Sequence, residues 1–312
     1  MVRRIAIAIG TLILAVLLWA TVRYTAANME TKPLTDEVRK AAGGSYVTLS
    51  EGVVHYQIGG PDIGRVVVLV HGFSVPCYIW DPAYEALIGA GIRTLRLDLL
   101  GRGYSDRPRL TYSADLFDRE IIELLDSLGI QEPVDIAGLS MGGAVAQYFA
   151  NHHPDRTHSV ILIDPSFSHG TDREPWSMHV PVLRNYIMRV HVAPGMAAGQ
   201  MSDFAYPERF PDWPARYRVQ MQYPGFLNAI MSTRLADERR DLSKEYAALG
   251  EKHVPVLLIW GKRDRTVPFG LSDELRKLVP QAEFHAIDDA GHIPYMEQPG
   301  VVNPILISFL RP

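Results

Sequence analysis

Val134-Asp135-Ile136-Ala137-Gly138-Leu139-Ser140-Met141-Gly142-Gly143-Ala144-Val145-Ala146-Gln147-Tyr148-Phe149-Ala150 passes from an apolar, strand-like stretch through a glycine-flanked serine into a helix-forming stretch. A serine on so sharp a strand-to-helix turn sits where side chains crowd the backbone, and glycines two before and two after it give the turn room. The turn lifts the hydroxyl clear of the sheet. It also sets Ser140 at a helix N-terminus, where free N–H groups and the helix dipole favour a nearby oxyanion. Ser140 is therefore the candidate nucleophile. The pattern G-x-S-x-G recurs by chance in many chains; the strand before it and the helix after it make it specific here.

Working outward, residues 46–50 and 53–58 flank the turn dipeptide Glu51-Gly52 and predict a hairpin. Residues 66–70 form an uninterrupted apolar run, as expected of a strand covered on both faces, and residues 94–97, 160–163 and 256–260 read the same way. Between them lie helical periods such as Leu116, Ile121, Leu124, Leu125 and Leu128. This alternation predicts an α/β fold, a mostly parallel central sheet with helices on both faces. It stops after Asp164-Pro165 and resumes at Val254-Pro255, and in between seven prolines divide the chain into short helical pieces. Residues 166–251 are thus expected to form a helical cap over a core of residues 46–165 and 252–312.

A serine hydroxyl needs a base titrating near the working pH, which points to histidine. Of eleven histidines, His292 stands in Ala290-Gly291-His292-Ile293-Pro294, just beyond the last strand-like run, 283–287. Loops at the carboxyl edge of a parallel sheet are where ligand chemistry gathers. His152, His153 and His158 cluster where the helix after Ser140 ends and read as solvated groups; His169, His179 and His191 fall in the cap. The acid that orients the base is expected to be Asp264, directly after the strand 256–260, which gives the chain order Ser, Asp, His. Asp164 competes for that role, while Asp288 and Asp289 stand too close to His292 in sequence to pair with it easily. A tetrahedral intermediate also needs two donors. One is the Met141 N–H; the other is expected from His71-Gly72-Phe73-Ser74, with the Phe73 N–H preferred, Ser74 as the alternative donor or a substrate contact, and His71 bracing the loop.

Net charge of −4 and a pI near 6.3, with no local basic cluster in the sequence, argue against a nucleic-acid partner. A single cysteine, Cys77, excludes an internal disulfide, so the fold must rest on its apolar core. At the N-terminus, Arg3 and Arg4 precede residues 5–22, an uncharged run of eighteen residues. As a helix this run reaches about 27 Å, close to a hydrocarbon core of roughly 30 Å. A retained membrane anchor over residues 1–27 is the preferred reading, a cleaved signal peptide giving a secreted or periplasmic enzyme the second, and a buried helix the third. Arg3 and Arg4 favour a cytoplasmic N-terminus and an extracytoplasmic catalytic domain, against the opposing pull of Arg23 and Lys32. Residues 28–45 read as a linker, a tether or short helix leading to the domain.

Taken together, His71-Gly72-Phe73, Asp98-Leu99-Leu100-Gly101-Arg102-Gly103-Tyr104-Ser105, Gly138-Leu139-Ser140-Met141-Gly142-Gly143 and Gly291-His292 make the chain resemble the α/β-hydrolase superfamily from about residue 46 to residue 310. Within it the sequence is similar to the capped serine carboxylesterases and monoacylglycerol lipases, and to carbon–carbon bond hydrolases of aromatic breakdown. It departs from epoxide hydrolases and haloalkane dehalogenases, which place Asp where Ser140 stands. The resemblance implies that Asp98, Arg102 and Ser105 hold loop geometry and take no part in the chemistry.

The expected activity is hydrolysis of a carboxylic ester, lipidic or aryl, through an acyl-enzyme on Ser140, with no metal and no cofactor. Carbon–carbon hydrolysis, perhydrolysis and lactone opening use the same triad, and a non-catalytic binding protein on this fold is the remaining alternative. The cap holds many aromatics and six of the ten methionines, which suit an adaptable apolar pocket; Trp176 and Trp213 are the candidate substrate contacts there.

Overall fold

The structure is a computed structural model describing every residue except Asp172 and Pro312. Strands β1 (Ser45–Leu49), β2 (Gly52–Gly59), β3 (Val66–Val70), β4 (Arg93–Leu97), β5 (Val134–Leu139), β6 (Thr157–Ile163), β7 (Val256–Gly261) and β8 (Glu283–Ile287) form one sheet in the order β1-β2-β4-β3-β5-β6-β7-β8. The β1/β2 and β2/β4 pairs are antiparallel and all others parallel. All five residues of β3 are buried because helices cover both faces.

Helices α1 (Val2–Ala26) and α2 (Asp36–Ala42) precede the sheet; α3 (Asp81–Gly89), α4 (Ala114–Ser127) and α5 (Met141–His152) connect its first strands. The insertion carries α6 (Trp176–His179), α7 (Pro181–Ile187), α8 (Ala193–Gly199), α9 (Trp213–Met221) and α10 (Phe226–Asp237). The chain then adds α11 (Leu242–Gly250), α12 (Ser272–Leu278), α13 (Pro294–Glu297) and α14 (Pro299–Leu310).

Strand periodicity divides the core. Val66, Val68 and Val70 face a cluster with α4, α5, α11 and α12, whereas Val67 and Leu69 face one shared with α3, α14 and the cap. In α4 the Ser113 hydroxyl caps Leu116 N, and Leu116, Ile121, Leu124 and Leu125 form the buried stripe. Each such side chain contributes about 1.5–3 kcal/mol on burial.

One boundary differs from the sequence reading. Helix α11, expected within the cap, belongs to the core: Leu242, Tyr246 and Leu249 join the α4/α5 cluster, and Gln147 of α5 donates to Glu245 at 2.5 Å. A strandless stretch gives no signal that separates a cap helix from a crossover helix, so periodicity alone misplaces it. The linker 28–45, read as a tether or short helix, is docked on the domain. It contains α2, whose Arg39 is buried and pairs with Asp106, and Met29 packs on the cap-side core. Helix α1, in contrast, has no fully buried residue.

Candidate active site

Parallel pairing of β5, β6, β7 and β8 brings the four loops after these strands to one edge, and Ser140, Asp164, Asp264 and His292 stand on them in that order. Ser140 holds φ 55°, ψ −120°, a left-handed conformation worth about 1–3 kcal/mol of strain for a residue with a Cβ. The surroundings fix it: Ser140 N donates to Ile163 O at 3.0 Å, while its carbonyl accepts Ser166 N at 3.0 Å and Gly143 N at 2.9 Å. Glycine is required on either side. A Cβ on Gly138 would lie 2.0 Å from Gly142 O, and one on Gly142 would lie 2.2 Å from Val70 O.

His292 Nδ1 donates to Asp264 Oδ2 at 2.7 Å, and Asp264 Oδ1 accepts the Thr266 and Val267 amides at 2.8 and 3.0 Å. With Nδ1 so engaged, Nε2 is the ring nitrogen left to act as base. Burial pulls the His292 pKa down, but the bond to Asp264, its charge and that of Asp203 outweigh burial and leave it above the usual imidazole value. No hydrogen bond joins Ser140 to His292 among the described residues; such bonds tighten when substrate binds. Asp164, the competing acid, accepts Gly261 N at 2.9 Å and does not hold the ring. Burial and the neighbouring Asp264 push its pKa well up.

The loop after β3 reaches the same edge. An added Cβ on Gly72 would be 3.5 Å from the Ser140 Cβ, so the loop passes directly over the serine. Met141, as the first residue of α5, has an N–H with no intrahelical partner, and the Phe73 N–H donates to no acceptor among the described residues. Five hydrogen bonds fix this loop. His71 Nε2 accepts Leu99 N at 3.0 Å and its Nδ1 donates to Gly72 O at 2.7 Å; Arg102 Nε donates to Phe73 O at 3.0 Å; Gln220 Nε2 donates to Ser74 O at 2.6 Å; Cys77 N donates to Asp98 Oδ1 at 2.7 Å. Burial holds His71 neutral, with its pKa lowered to about 4, so it braces the loop as a fixed tautomer.

The two tryptophans expected at the substrate do not meet there. Trp176 is 73% exposed on the outside of the cap, and Trp213 is buried between Tyr78 and Phe204, where it fastens the cap to the core. Aromatic content marks apolar surface without saying which surface is covered. Ser74 is buried, its hydroxyl donating to Gln200 of the cap at 3.4 Å. Four supporting residues escape sequence reading. Asp203 O accepts His292 N at 2.7 Å, Glu297 accepts Gly291 N at 2.6 Å, and Gln200 and Gln220 hold the Ser74 segment. All four belong to segments without strand or helix periodicity strong enough to orient them.

Two clusters, His55/Cys77/Asp98 and Asp164/Asp264/His292, hold potential metal-ligand atoms within 4.8 Å of one another. In both, hydrogen bonds engage most of these atoms, leaving His55 Nε2 and Asp164 Oδ2 without a partner. Asp98 takes His55 Nδ1 at 2.7 Å, Cys77 N at 2.7 Å and Tyr104 N at 2.9 Å, which is how a carboxylate organises a loop.

The "alpha/beta hydrolase fold" family matches residues 65–299. The chain is 29% identical over 296 residues to a 2-hydroxy-6-oxononadienedioate/2-hydroxy-6-oxononatrienedioate hydrolase of Paraburkholderia phymatum, covering 89% of this chain and 99% of that one. Among solved structures, it resembles an enol-lactonase from Burkholderia xenovorans (TM-score 0.72, 25% identity, 85% and 99% of the two chains). It also resembles a bacterial membrane phospholipase A (TM-score 0.68, 21% identity), and that likeness extends over 99% of this chain and 98% of the other. With its sheet order, its strained serine after β5 and this family match, the chain belongs to the α/β-hydrolase family.

Proposed function

We propose that the protein is a membrane-anchored serine esterase acting on lipidic or aryl esters, with Ser140 as nucleophile, His292 as base and Asp264 as the acid that orients it. The observation that carries this reading is the 2.7 Å bond from His292 Nδ1 to Asp264, on loops that neighbour the strained Ser140. His292 Nε2 takes the Ser140 proton as the oxygen attacks the ester carbonyl, and the oxyanion rests on the Phe73 and Met141 amides. The tetrahedral adduct collapses, the alcohol leaves with the proton from His292, and water then repeats the cycle on the acyl-enzyme. Each amide contributes about 3 kcal/mol to lowering the barrier. Helix α1 holds the pocket near membrane-derived esters.

Carbon–carbon hydrolysis is the second reading, favoured by the 29% identical oxononadienedioate hydrolase. A panel of short- and long-chain esters assayed beside a vinylogous diketone separates the two. Fluorophosphonate labelling of Ser140 separates both from an inert scaffold.

A further inference from the structure

The C-terminal end of α1 is fastened to the cap. Tyr24 stacks on Tyr186 of α7 with ring centroids 6.4 Å apart, and the Arg189 guanidinium lies 4.3 Å from the Tyr24 ring centre. Just beyond the helix, Glu30 accepts Leu227 N at 2.9 Å and pairs with Arg189 at 3.4 Å, while Lys32 N donates to Gln222 O at 3.0 Å. A bilayer holding residues 5–22 must therefore end where Tyr24 meets the cap.

At that level opens a cleft of about 920 Å³ with Tyr24 in its wall. Arg107, Arg109, Arg184 and Arg189 line it against a single carboxylate, Glu30. Only Arg189 has a carboxylate partner among the described residues. Arg107 donates to the Ser105 and Gly103 carbonyls, yet its Nε is buried without an acceptor. In a chain of net charge −4 this excess of cation is local. The rest of the lining is mixed, with Asn185, Asn228 and Ser232 polar and Met188, Leu227, Met231 and Leu235 supplying an apolar wall. Beside the cleft, α7 turns Val182 outward, 78% exposed and one helical turn from Tyr186, and Trp176 of α6 is exposed as well. Tryptophan and apolar side chains next to the end of a span suit the headgroup layer.

We propose that this cleft binds an anionic glycerophospholipid, its phosphate met by Arg109 and Arg184 and the first carbons of its acyl chains by the apolar wall, so that the lipid seats the catalytic domain on the membrane. Guanidinium groups bind phosphate through paired, charge-assisted hydrogen bonds, and the apolar wall distinguishes a lipid from a free phosphate. The inference rests on the reading of α1 as a membrane anchor.

The test uses full-length Ser140→Ala protein in neutral detergent, so that no lipid is consumed, titrated calorimetrically with dihexanoyl phosphatidylglycerol, dihexanoyl phosphatidylcholine and glycerol phosphate. Phosphatidylglycerol should bind about tenfold more tightly than phosphatidylcholine, and glycerol phosphate, which has no acyl chains, far more weakly than phosphatidylglycerol. Arg109→Glu/Arg184→Glu should abolish the preference, and the milder Arg109→Gln/Arg184→Gln should remove most of it. With Ser140 intact, both double variants should keep turnover of p-nitrophenyl butyrate, which certifies their fold. Equal affinity for the two lipids, a preference that survives charge reversal, or glycerol phosphate binding as tightly as the lipid would overturn the proposal. Fractionation of wild type keeps the two readings apart. Uncleaved protein in the soluble fraction removes the membrane plane and the proposal with it, whereas lost lipid preference in protein that still sediments with membranes overturns the cleft alone.

Discussion

Asp164 and Asp264 approach each other and His292 to within 4.8 Å, and of the two only Asp264 holds the ring, through the 2.7 Å bond to Nδ1. Asp164 Oδ2 is buried with no donor. A proton there turns the orphan oxygen into a donor facing the Asp264 charge, in keeping with the raised pKa of Asp164. Asp264→Asn should then lower kcat by about 10⁴ by favouring the wrong imidazole tautomer, while Asp164→Asn, which still offers an N–H, should cost far less. The opposite ranking in two folded variants would move the orienting acid to the end of β6.

The same contact has a sign for stability. A carboxyl whose folded pKa is raised binds its proton more tightly in the native state, so its contribution is complete below the unfolded value and is lost as pH rises through the folded one. Asn carries no such dependence. The melting temperature of Asp164→Asn relative to wild type should therefore improve from acid to neutral and alkaline pH; a flat difference would show Asp164 ionised normally.

Ser140→Ala removes a hydroxyl and leaves the core unchanged, so the fold should persist while ester turnover falls by about 10⁶. Near-UV circular dichroism and an ester assay on the purified variant check both halves. Turnover within about tenfold of wild type would dismiss Ser140 as nucleophile.

His292 must be neutral to accept the Ser140 proton, so activity rises with pH through its pKa. Because that pKa is raised, the acid limb of kcat/KM should lie above the usual imidazole value. Asp203 contributes negative charge to the rise, so Asp203→Asn should shift the limb to lower pH. A pH–rate profile with an unmoved limb would mean that Asp203 leaves the ring unaffected.

Gln220 ties the cap to the loop after β3, the proposed oxyanion loop, donating to Ser74 O at 2.6 Å and accepting Gly103 N at 3.1 Å. Gln220→Leu leaves both groups unpaired in a buried place and should cost about 2–3 kcal/mol in denaturant unfolding. Since the neighbouring Phe73 amide would lose its fixed position, kcat should fall more than KM rises. An effect on KM alone would make Gln220 a substrate contact instead.

Deleting residues 1–22 removes the apolar span but keeps Tyr24, Glu30 and Arg39, the groups that fasten the following segment to the cap and core. The truncated chain should be soluble and hydrolyse a short-chain ester within a few-fold of wild type. An unfolded product would show that α1 belongs to the domain's own core.

The sequence by itself determined the sheet and the glycine-flanked turn that carries Ser140, and it singled out the loops that bring Asp264 and His292 to the same edge. These depend on local signals: uninterrupted apolar runs for strands buried on both faces, and glycines at Gly138 and Gly142 where the backbone passes within a Cβ radius of its neighbours. The membrane-length helix was legible for the same reason, as an unbroken run with no fully buried residue. Only the tertiary structure decided between Asp164 and Asp264, because both end strands at the same sheet edge and a single hydrogen bond to the ring distinguishes them. It likewise moved Trp176 to the surface and Trp213 into packing, transferred α11 from cap to core, and showed residues 28–45 docked. Those assignments depend on which surfaces meet across long sequence separations, and neither composition nor periodicity encodes which partner an apolar or charged face will find.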